Sequence, residues 1–278
     1  MAQLSPVTRA GQLGLAALRA DPAAAVVGLD FDGTLAPIVA DPSAARAHPG
    51  ALPALARLAP ALDSVVVITG RPALVAVEYG GFRGAPGLDH LVVLGQYGLE
   101  RWEAATDELT RPEPSPGVLA ARAALPKLLA AADAPPGVAV EDKRLALAVH
   151  TRRAADPVAA LDKVREPLAG LAAANGLVVE PGRHVLELRP PGVDKGGALD
   201  GYLAERAAAR TVLYAGDDLG DLAAFDAVDR ARARGLAGLT VCSGSAEVSR
   251  LAERADLVVD GPDGVVDLLA GLAEAIGR

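Results

Sequence analysis

The feature that most restricts the fold is a rhythm in which short β-branched runs alternate with longer Ala/Leu-rich stretches of helical character. Such alternation points to an α/β protein with a largely parallel sheet, because parallel neighbours need a crossover between them and a helix is the usual one. Strands are predicted at AVVGLD (25–30), SVVVIT (64–69), LVVLG (91–95), TVLYAG (211–216), GLTVC (238–242) and DLVVD (256–260). Helices are predicted at 49–61, 72–79, 195–209, 219–228, 246–253 and 263–276. Aromatic residues make up only 3%, so Ala, Val and Leu must fill the core.

The middle of the chain breaks this rhythm. DELTRPEPSPG (107–117) concentrates Pro, Gly and charge and reads as a boundary rather than an element. Beyond it come a helix near 118–132 and two strands within 138–152 that turn at Asp142–Arg144. A helix over 156–174 and a hairpin over 177–190, turning at Pro181–Gly182, complete the segment. The expected organisation is a discontinuous core, 1–106 with 191–278, interrupted by an α+β insertion over 107–190. Two domains suit 278 residues at roughly 150 per domain.

Composition removes several classes of function. A formal charge of −8 and a pI near 5.1 argue against nonspecific nucleic-acid binding. Cys242 is the single cysteine, which excludes an internal disulfide and a cysteine-rich metal site; it is expected to be a small core or strand-end residue. No window approaches the ~18 apolar residues of a membrane span. The first residues lack the ordered regions of a secretory signal, so a cytoplasmic location is expected.

Four patches carry chemistry. In VVGLDFDGTLAPI (26–38) a buried strand runs into Asp30 and Asp32, at the carboxyl end where open α/β sheets bind ligands. Gly33 ends the strand, so Asp32 is expected to turn back over the same pocket. Asp-x-Asp-Gly also occurs in calcium loops, but Thr34–Ile38 supplies almost none of the further oxygens such a loop needs. The second patch, VVVITGRP (65–72), ends in Thr69, Gly70 and Arg71, which either hold a phosphoryl oxygen or merely cap the next helix. In RPPGVDKGGALDGYL (189–203), Lys195 starts a helix among glycines that let a ligand approach; a cation is misplaced there unless an anion occupies the site, the alternative being a solvated surface lysine. Last, VLYAGDDLGDLAAF (212–225) sets Asp217, Asp218 and Asp221 at a strand–helix turn, as metal-site carboxylates or as helix caps. A dinucleotide enzyme is a poorer fit, since Phe-Asp-Gly-Thr follows the first strand in place of a glycine-rich turn.

The order of these patches resembles the haloacid dehalogenase-type phosphohydrolases over essentially the whole chain, with a Rossmann-like core and a large α/β cap inserted after the third core strand. GQYGLE (95–100), VEDKRLALAVHTR (140–152) and HVLELRPPGVDKGGAL (184–199) are similar to the signature stretches of the trehalose-6-phosphate phosphatase family. Many relatives carry His in Gly-x-His-Gly-x-Glu, where this chain has Tyr97.

The resemblance implies Mg²⁺-dependent hydrolysis of trehalose 6-phosphate, with a trehalose-6-phosphate synthase as companion enzyme. Asp30 would be the nucleophile and Asp32 the acid and base, with Thr69 and Lys195 holding the phosphoryl group. Asp30, the Asp32 carbonyl and Asp217 would bind the metal, supported by Asp218 and Asp221. Gly33, Arg71, Glu141, Lys143, Arg152 and Glu187 would bind substrate. A cation is needed on physical grounds: a carboxylate approaching a phosphate dianion to ~4 Å meets about 8 kcal/mol of repulsion at an effective dielectric near 20. His150 and His184, in strand segments, read as structural. Another sugar phosphate as substrate, a phosphomutase, and a noncatalytic binding protein are the competing functions.

Overall fold

A computed structural model describes residues 5–39, 41–182, 184–244 and 249–277. The chain divides into two units, Met1–Arg111 with Asp194–Arg278, and Pro112–Val193. The first unit opens with α1 (Arg9–Ala20), β1 (Ala25–Leu29), α2 (Ala51–Leu58), β2 (Ser64–Ile68), α3 (Ala73–Gly80), β3 (Leu91–Gly95), β4 (Glu100–Glu103) and β5 (Glu108–Thr110). The second holds α4 (Pro116–Ala131), β6 (Ala139–Asp142), β7 (Leu147–His150), α5 (Pro157–Ala174), β8 (Val178–Gly182) and β9 (Val185–Arg189). The chain returns to the first with α6 (Lys195–Ala204), β10 (Thr211–Gly216), α7 (Leu222–Ala233), β11 (Ala237–Gly244), α8 (Ser249–Arg254), β12 (Leu257–Asp260) and α9 (Gly261–Ala275). The start of the helix expected at 246–253 lies outside the described residues.

The first unit is a three-layer α/β structure. Its sheet runs β12-β11-β10-β1-β2-β3-β4-β5, parallel from β12 to β3. Strand residues alternate between two cores because successive side chains leave opposite faces. Val27, Leu29, Val65 and Val67 pack with α2 and α9, whereas Val26, Val66 and Ile68 pack with α6 and α7. β4 and β5 add an antiparallel edge. Glu108–Thr110 is therefore a strand of the first unit and not part of a boundary. The inserted unit begins at Pro112, after β5 rather than directly after β3.

The second unit is a four-stranded antiparallel sheet, β6-β7-β9-β8, with α4 and α5 on one face. Leu147, Val149, Leu186 and Leu188 meet Val118, Leu125, Val164 and Leu168 there. The second hairpin does not turn at Pro181–Gly182: pairing runs through both residues to Gly182 opposite Val185. His184 consequently sits in the turn, at φ +58°, rather than in a strand.

The N-terminal helix is tied to the sheet through Asp256. This carboxylate accepts hydrogen bonds from the Thr8 hydroxyl, from Arg232 on α7, and from the Thr240 N–H and hydroxyl on β11 (2.8 and 2.9 Å). Burial acts to raise its pKa, but these donors outweigh it and hold the group below the usual aspartate value. A depressed folded-state pKa contributes stability above the unfolded value of about 3.9, and that contribution is lost as pH falls through the folded value. Asp256→Asn is expected to cost roughly 2–3 kcal/mol near neutrality, from buried donors left without a charged acceptor. In urea unfolding across pH, the gap between variant and wild type should narrow below about pH 4; a constant gap would refute the linkage. Among the described residues no helix is long and apolar enough to cross a membrane.

Candidate active site

Chain direction across the sheet reverses between β1 and β10: β1, β2 and β3 proceed one way, β10, β11 and β12 the other. Helices leave the two sides in opposite senses at such a switch point, opening a crevice at the strands' carboxyl ends. Asp30 follows β1 and Asp217 follows β10, and the Asp30 N–H still pairs with the Ala215 carbonyl at 2.9 Å. The two carboxylates are brought together by the sheet register itself.

Lys195, at the start of α6, reaches into this crevice. Its Nζ lies 2.9 Å from Asp30 Oδ1 and 2.8 Å from Asp221 Oδ1, with Asp218 at 3.9 Å. The anions beside this cationic helix start are carboxylates of the chain itself. Burial alone would lower the lysine's pKa; Asp221 and Asp30 outweigh it and hold the ammonium well above its ordinary value. Burial drives Asp30 well above the carboxylate range, with Lys195 opposing and the neighbouring acids adding to the rise. Asp217 is pushed up to about 7, first by burial and then by Asp221 and Asp218. Four carboxylates facing one ammonium make a site with surplus negative charge.

Oxygen atoms of Asp30, Asp217 and Asp221 lie within 4.8 Å of one another, a hard, all-oxygen donor set that suits Mg²⁺. Asp221 belongs to this group by distance, but its oxygens are already engaged. Oδ1 accepts from Lys195 and from the Tyr214 hydroxyl (2.7 Å), and Oδ2 from the N–H groups of Asp217 (3.1 Å) and Asp218 (3.2 Å). Four donors on a fully buried carboxylate make Asp221 the anchor of the turn, leaving Asp30 and Asp217 as the oxygens to offer a cation. Asp218 is mostly exposed and accepts the Gly220 N–H at 2.9 Å.

Gly33 is the seat of Asp217. It has φ +79°, and a Cβ there would lie 2.0 Å from Asp217 Oδ2. Its carbonyl accepts the buried Ser243 hydroxyl at 2.6 Å, which pins the loop from the β11 side.

Asp32 lies just beyond the end of β1. Both its oxygens are held by Arg71, Nε and Nη2 each at 2.6 Å, while Arg71 Nη1 donates to the Pro42 carbonyl at 3.0 Å. A guanidinium fork matches a carboxylate edge, and that match sets the side chain's direction. Thr69 is buried and its hydroxyl accepts the Arg71 N–H at 3.1 Å, a local turn ahead of α3 rather than a helix cap, since α3 has Pro72 at its N-cap and no side-chain cap. The 95–98 turn lies along this segment: Gln96 N–H donates to the Arg71 carbonyl and Tyr97 N–H to the Thr69 carbonyl. Tyr97 packs over Gly70, where a Cβ would come within 2.7 Å of the phenol oxygen. Buried Glu100 accepts the Ala73 N–H at 2.7 Å, fixing the start of α3.

In the second unit, the face of the sheet opposite α4 and α5 is polar. Register aligns Glu141, Ala148, Glu187 and Glu180 across β6, β7, β9 and β8. Each glutamate has its own partner: Glu141 with His150 (2.8 Å), Glu187 with Lys143 (2.5 Å) and Glu180 with Arg189 (2.7 Å). Arg152 Nη2 lies 2.7 Å from His150 Nδ1. The His150 contact, ahead of burial and Lys143, sets the direction for Glu141, whose pKa is lowered. The second oxygen of Glu187 is buried and has no donor among the described residues.

Three residues escaped the sequence reading. Tyr214, Ser243 and Glu100 are polar groups in otherwise apolar or strand-forming surroundings, and a buried hydroxyl or carboxylate there implies a partner. The sequence holds that signal, although not the partner's identity. Cys242 is a buried strand residue as expected; burial and then Asp217 and Asp221 push its thiol up to about 11, which disfavours the thiolate.

The trehalose-phosphatase family model matches residues 28–260. The chain belongs to the trehalose-phosphatase family. A trehalose-phosphate phosphatase of Mycolicibacterium paratuberculosis is 40% identical over 218 residues, covering 73% of this chain and 51% of that protein. A counterpart in Mycobacterium marinum is 39% identical with the same coverage. The chain thus spans about half the length of the curated relatives it matches. Among solved structures, an Aspergillus fumigatus trehalose-6-phosphate phosphatase superposes with a TM-score of 0.67 at 26% identity, covering 97% of this chain and 99% of the other. The C-terminal domain of a Candida albicans trehalose-6-phosphate phosphatase superposes at 0.76 with 21% identity and 99% coverage of both, a likeness of fold. The family's matched span contains every site residue named above.

Proposed function

We propose that the chain is a Mg²⁺-dependent phosphatase that converts trehalose 6-phosphate to trehalose and phosphate through an aspartyl-phosphate on Asp30. The observation that carries this reading is the buried Asp30–Lys195–Asp221 arrangement beside Asp217, in a chain of the trehalose-phosphatase family. An Asp30 oxygen attacks phosphorus and the bond to the sugar oxygen breaks. Asp32 gives that oxygen its proton, then takes one from the water that attacks the aspartyl-phosphate. Lys195 balances charge on the transferred group, Thr69 donates to it, and Arg71 orients Asp32. Asp30, Asp217 and the Asp32 carbonyl would hold Mg²⁺, with Asp218 and Asp221 supporting them. Bound there, such an ion would offset phosphate charge against the Asp30 carboxylate.

The polar face of the second unit supplies the sugar contacts in this reading. Glu141, Lys143, Arg152 and Glu187 offer acceptors and donors to hydroxyl groups, and the donor-less oxygen of Glu187 is the acceptor most in need of one. Arg71 and Gly33 complete the substrate contacts from the first unit. A trehalose-6-phosphate synthase would provide the substrate, and a cytoplasmic site of action fits that supply.

The direct test is phosphate release from a panel of sugar phosphates, with and without Mg²⁺. Trehalose 6-phosphate should be turned over with the highest kcat/KM, and chelation should abolish release. Preference for another sugar phosphate would reassign the substrate, and inertness toward all of them would favour a binding role. Gly33→Ala tests the metal seat. Its left-handed backbone costs about 1–2 kcal/mol for a side chain, and the Asp217 carboxylate must move to admit the methyl group. Turnover should fall about 10²-fold, with Mg²⁺ affinity falling alongside; unchanged affinity by titration calorimetry would sink the assignment.

A further inference from the structure

His150 holds two oppositely charged groups through one ring. Its Nε2 lies 2.8 Å from Glu141 Oε2 and its Nδ1 lies 2.7 Å from Arg152 Nη2. A guanidinium has only donors to offer, so Nδ1 must accept. The ring is then the neutral tautomer with its proton on Nε2, donating to the Glu141 carboxylate. This fixes the direction of both bonds.

The consequence follows from what the charges would do otherwise. Glu141 and Arg152 attract each other, and so do Glu141 and Lys143. Without the ring between them, Glu141 and Arg152 could close into a direct fork-to-carboxylate pair, which consumes the donors and acceptors of both. With the ring in place, Arg152 spends one N–H on His150 and Glu141 keeps Oε1 outside this bond. Other groups hold the ring's neighbourhood: Thr151, fully buried, donates its hydroxyl to the Pro157 carbonyl at 2.8 Å and its N–H to the His184 carbonyl at 2.9 Å. Ala148, the next residue on the His150 face of β7, lies between Glu141 and Glu187 in register. Ala148 is itself fully buried.

We propose that His150 is a positioning residue, a neutral spacer that keeps Glu141 and Arg152 oriented yet unpaired so that both can bind hydroxyl groups of a sugar phosphate. The inference rests on the sugar-phosphate reading above. It is tested on the full chain with wild type, His150→Ala and His150→Gln, each assayed with trehalose 6-phosphate and with a small aryl phosphate. His150→Ala should lower the ratio of kcat/KM for the sugar phosphate to that for the aryl phosphate by about tenfold, mainly through KM. His150→Gln, which can restore a donor to Glu141, should recover part of that ratio. Nitrogen NMR of the imidazole in wild type should report the proton on Nε2 and a hydrogen-bonded acceptor at Nδ1.

A purely structural His150 would lower the thermal midpoint and depress both substrates alike, leaving the ratio unchanged. That outcome, or a proton found on Nδ1, overturns the inference. Failure of the underlying reading shows elsewhere, as wild-type protein that hydrolyses the aryl ester but no sugar phosphate. Wild type that prefers a different sugar phosphate moves the same ratio test to that substrate, where an unchanged ratio is equally decisive.

Discussion

Asp30→Asn is expected to abolish phosphate release, by at least about 10⁴-fold, the scale on which removal of a nucleophile acts. On the proposed mechanism the substitution removes the attacking oxygen, and with it one of the two carboxylates best placed to hold a cation. It should leave the fold in place, because Lys195 keeps its 2.8 Å bond to Asp221 and the Asp30 N–H keeps its sheet partner. Rapid quench with mass spectrometry should find a phosphoryl adduct on the Asp30 peptide in wild type and none in the variant. Asp32→Asn should lose roughly 10²–10⁴-fold, the usual worth of acid–base catalysis, while metal affinity is retained. Wild-type-like turnover by Asp30→Asn would remove the covalent mechanism.

Glu187→Ala is expected to produce a selective loss: about 10²-fold in kcat/KM for trehalose 6-phosphate, and little for a small aryl phosphate. On the proposed mechanism the small ester would need only Asp30, Asp32, Thr69, Lys195, Asp217 and Mg²⁺, these residues all in the first unit. The disaccharide would also be oriented by its hydroxyls, and Glu187 offers a buried oxygen with no donor among the described residues. Glu141→Ala should act in the same direction. Glu187→Gln keeps the shape and an acceptor, so it should retain more activity than Glu187→Ala. Equal losses on both substrates would mean that these glutamates only stabilise the second unit, Glu187 through Lys143. Undiminished sugar-phosphate turnover would place the sugar contacts elsewhere.

Much of this was legible in the sequence, and for local reasons. A run such as AVVGLD can be buried on both faces only as a central strand, and a carboxylate directly after it must emerge at the strand's carboxyl end. Asp30, Thr69 and Asp217 were therefore placed at three strand ends, and Lys195 at a helix start, before any tertiary contact was known. The alternation of VLELR and LALAVH likewise announced a sheet with one apolar face. Short polar strands carried a weaker signal. ERWE and ELT at β4 and β5 have few apolar positions, and only pairing at the sheet edge makes them strands.

The partners were decided by packing alone. Arg71 meets Asp32 across 39 positions, Lys195 meets Asp221 across 26, and Lys143 meets Glu187 across 44. Sequence period tells which face a side chain leaves from, but not which distant element lies over it. Hence Asp221, expected to support the metal beside Asp217, became the saturated anchor only when Tyr214 and the 217–218 amides closed on it. Asp32 turned to a guanidinium because that fork stood within reach. The row of Glu141, Glu187 and Glu180 exists because β6, β7, β9 and β8 pair in one register, and a shift of a single residue would have sent a strand's charges into the apolar core.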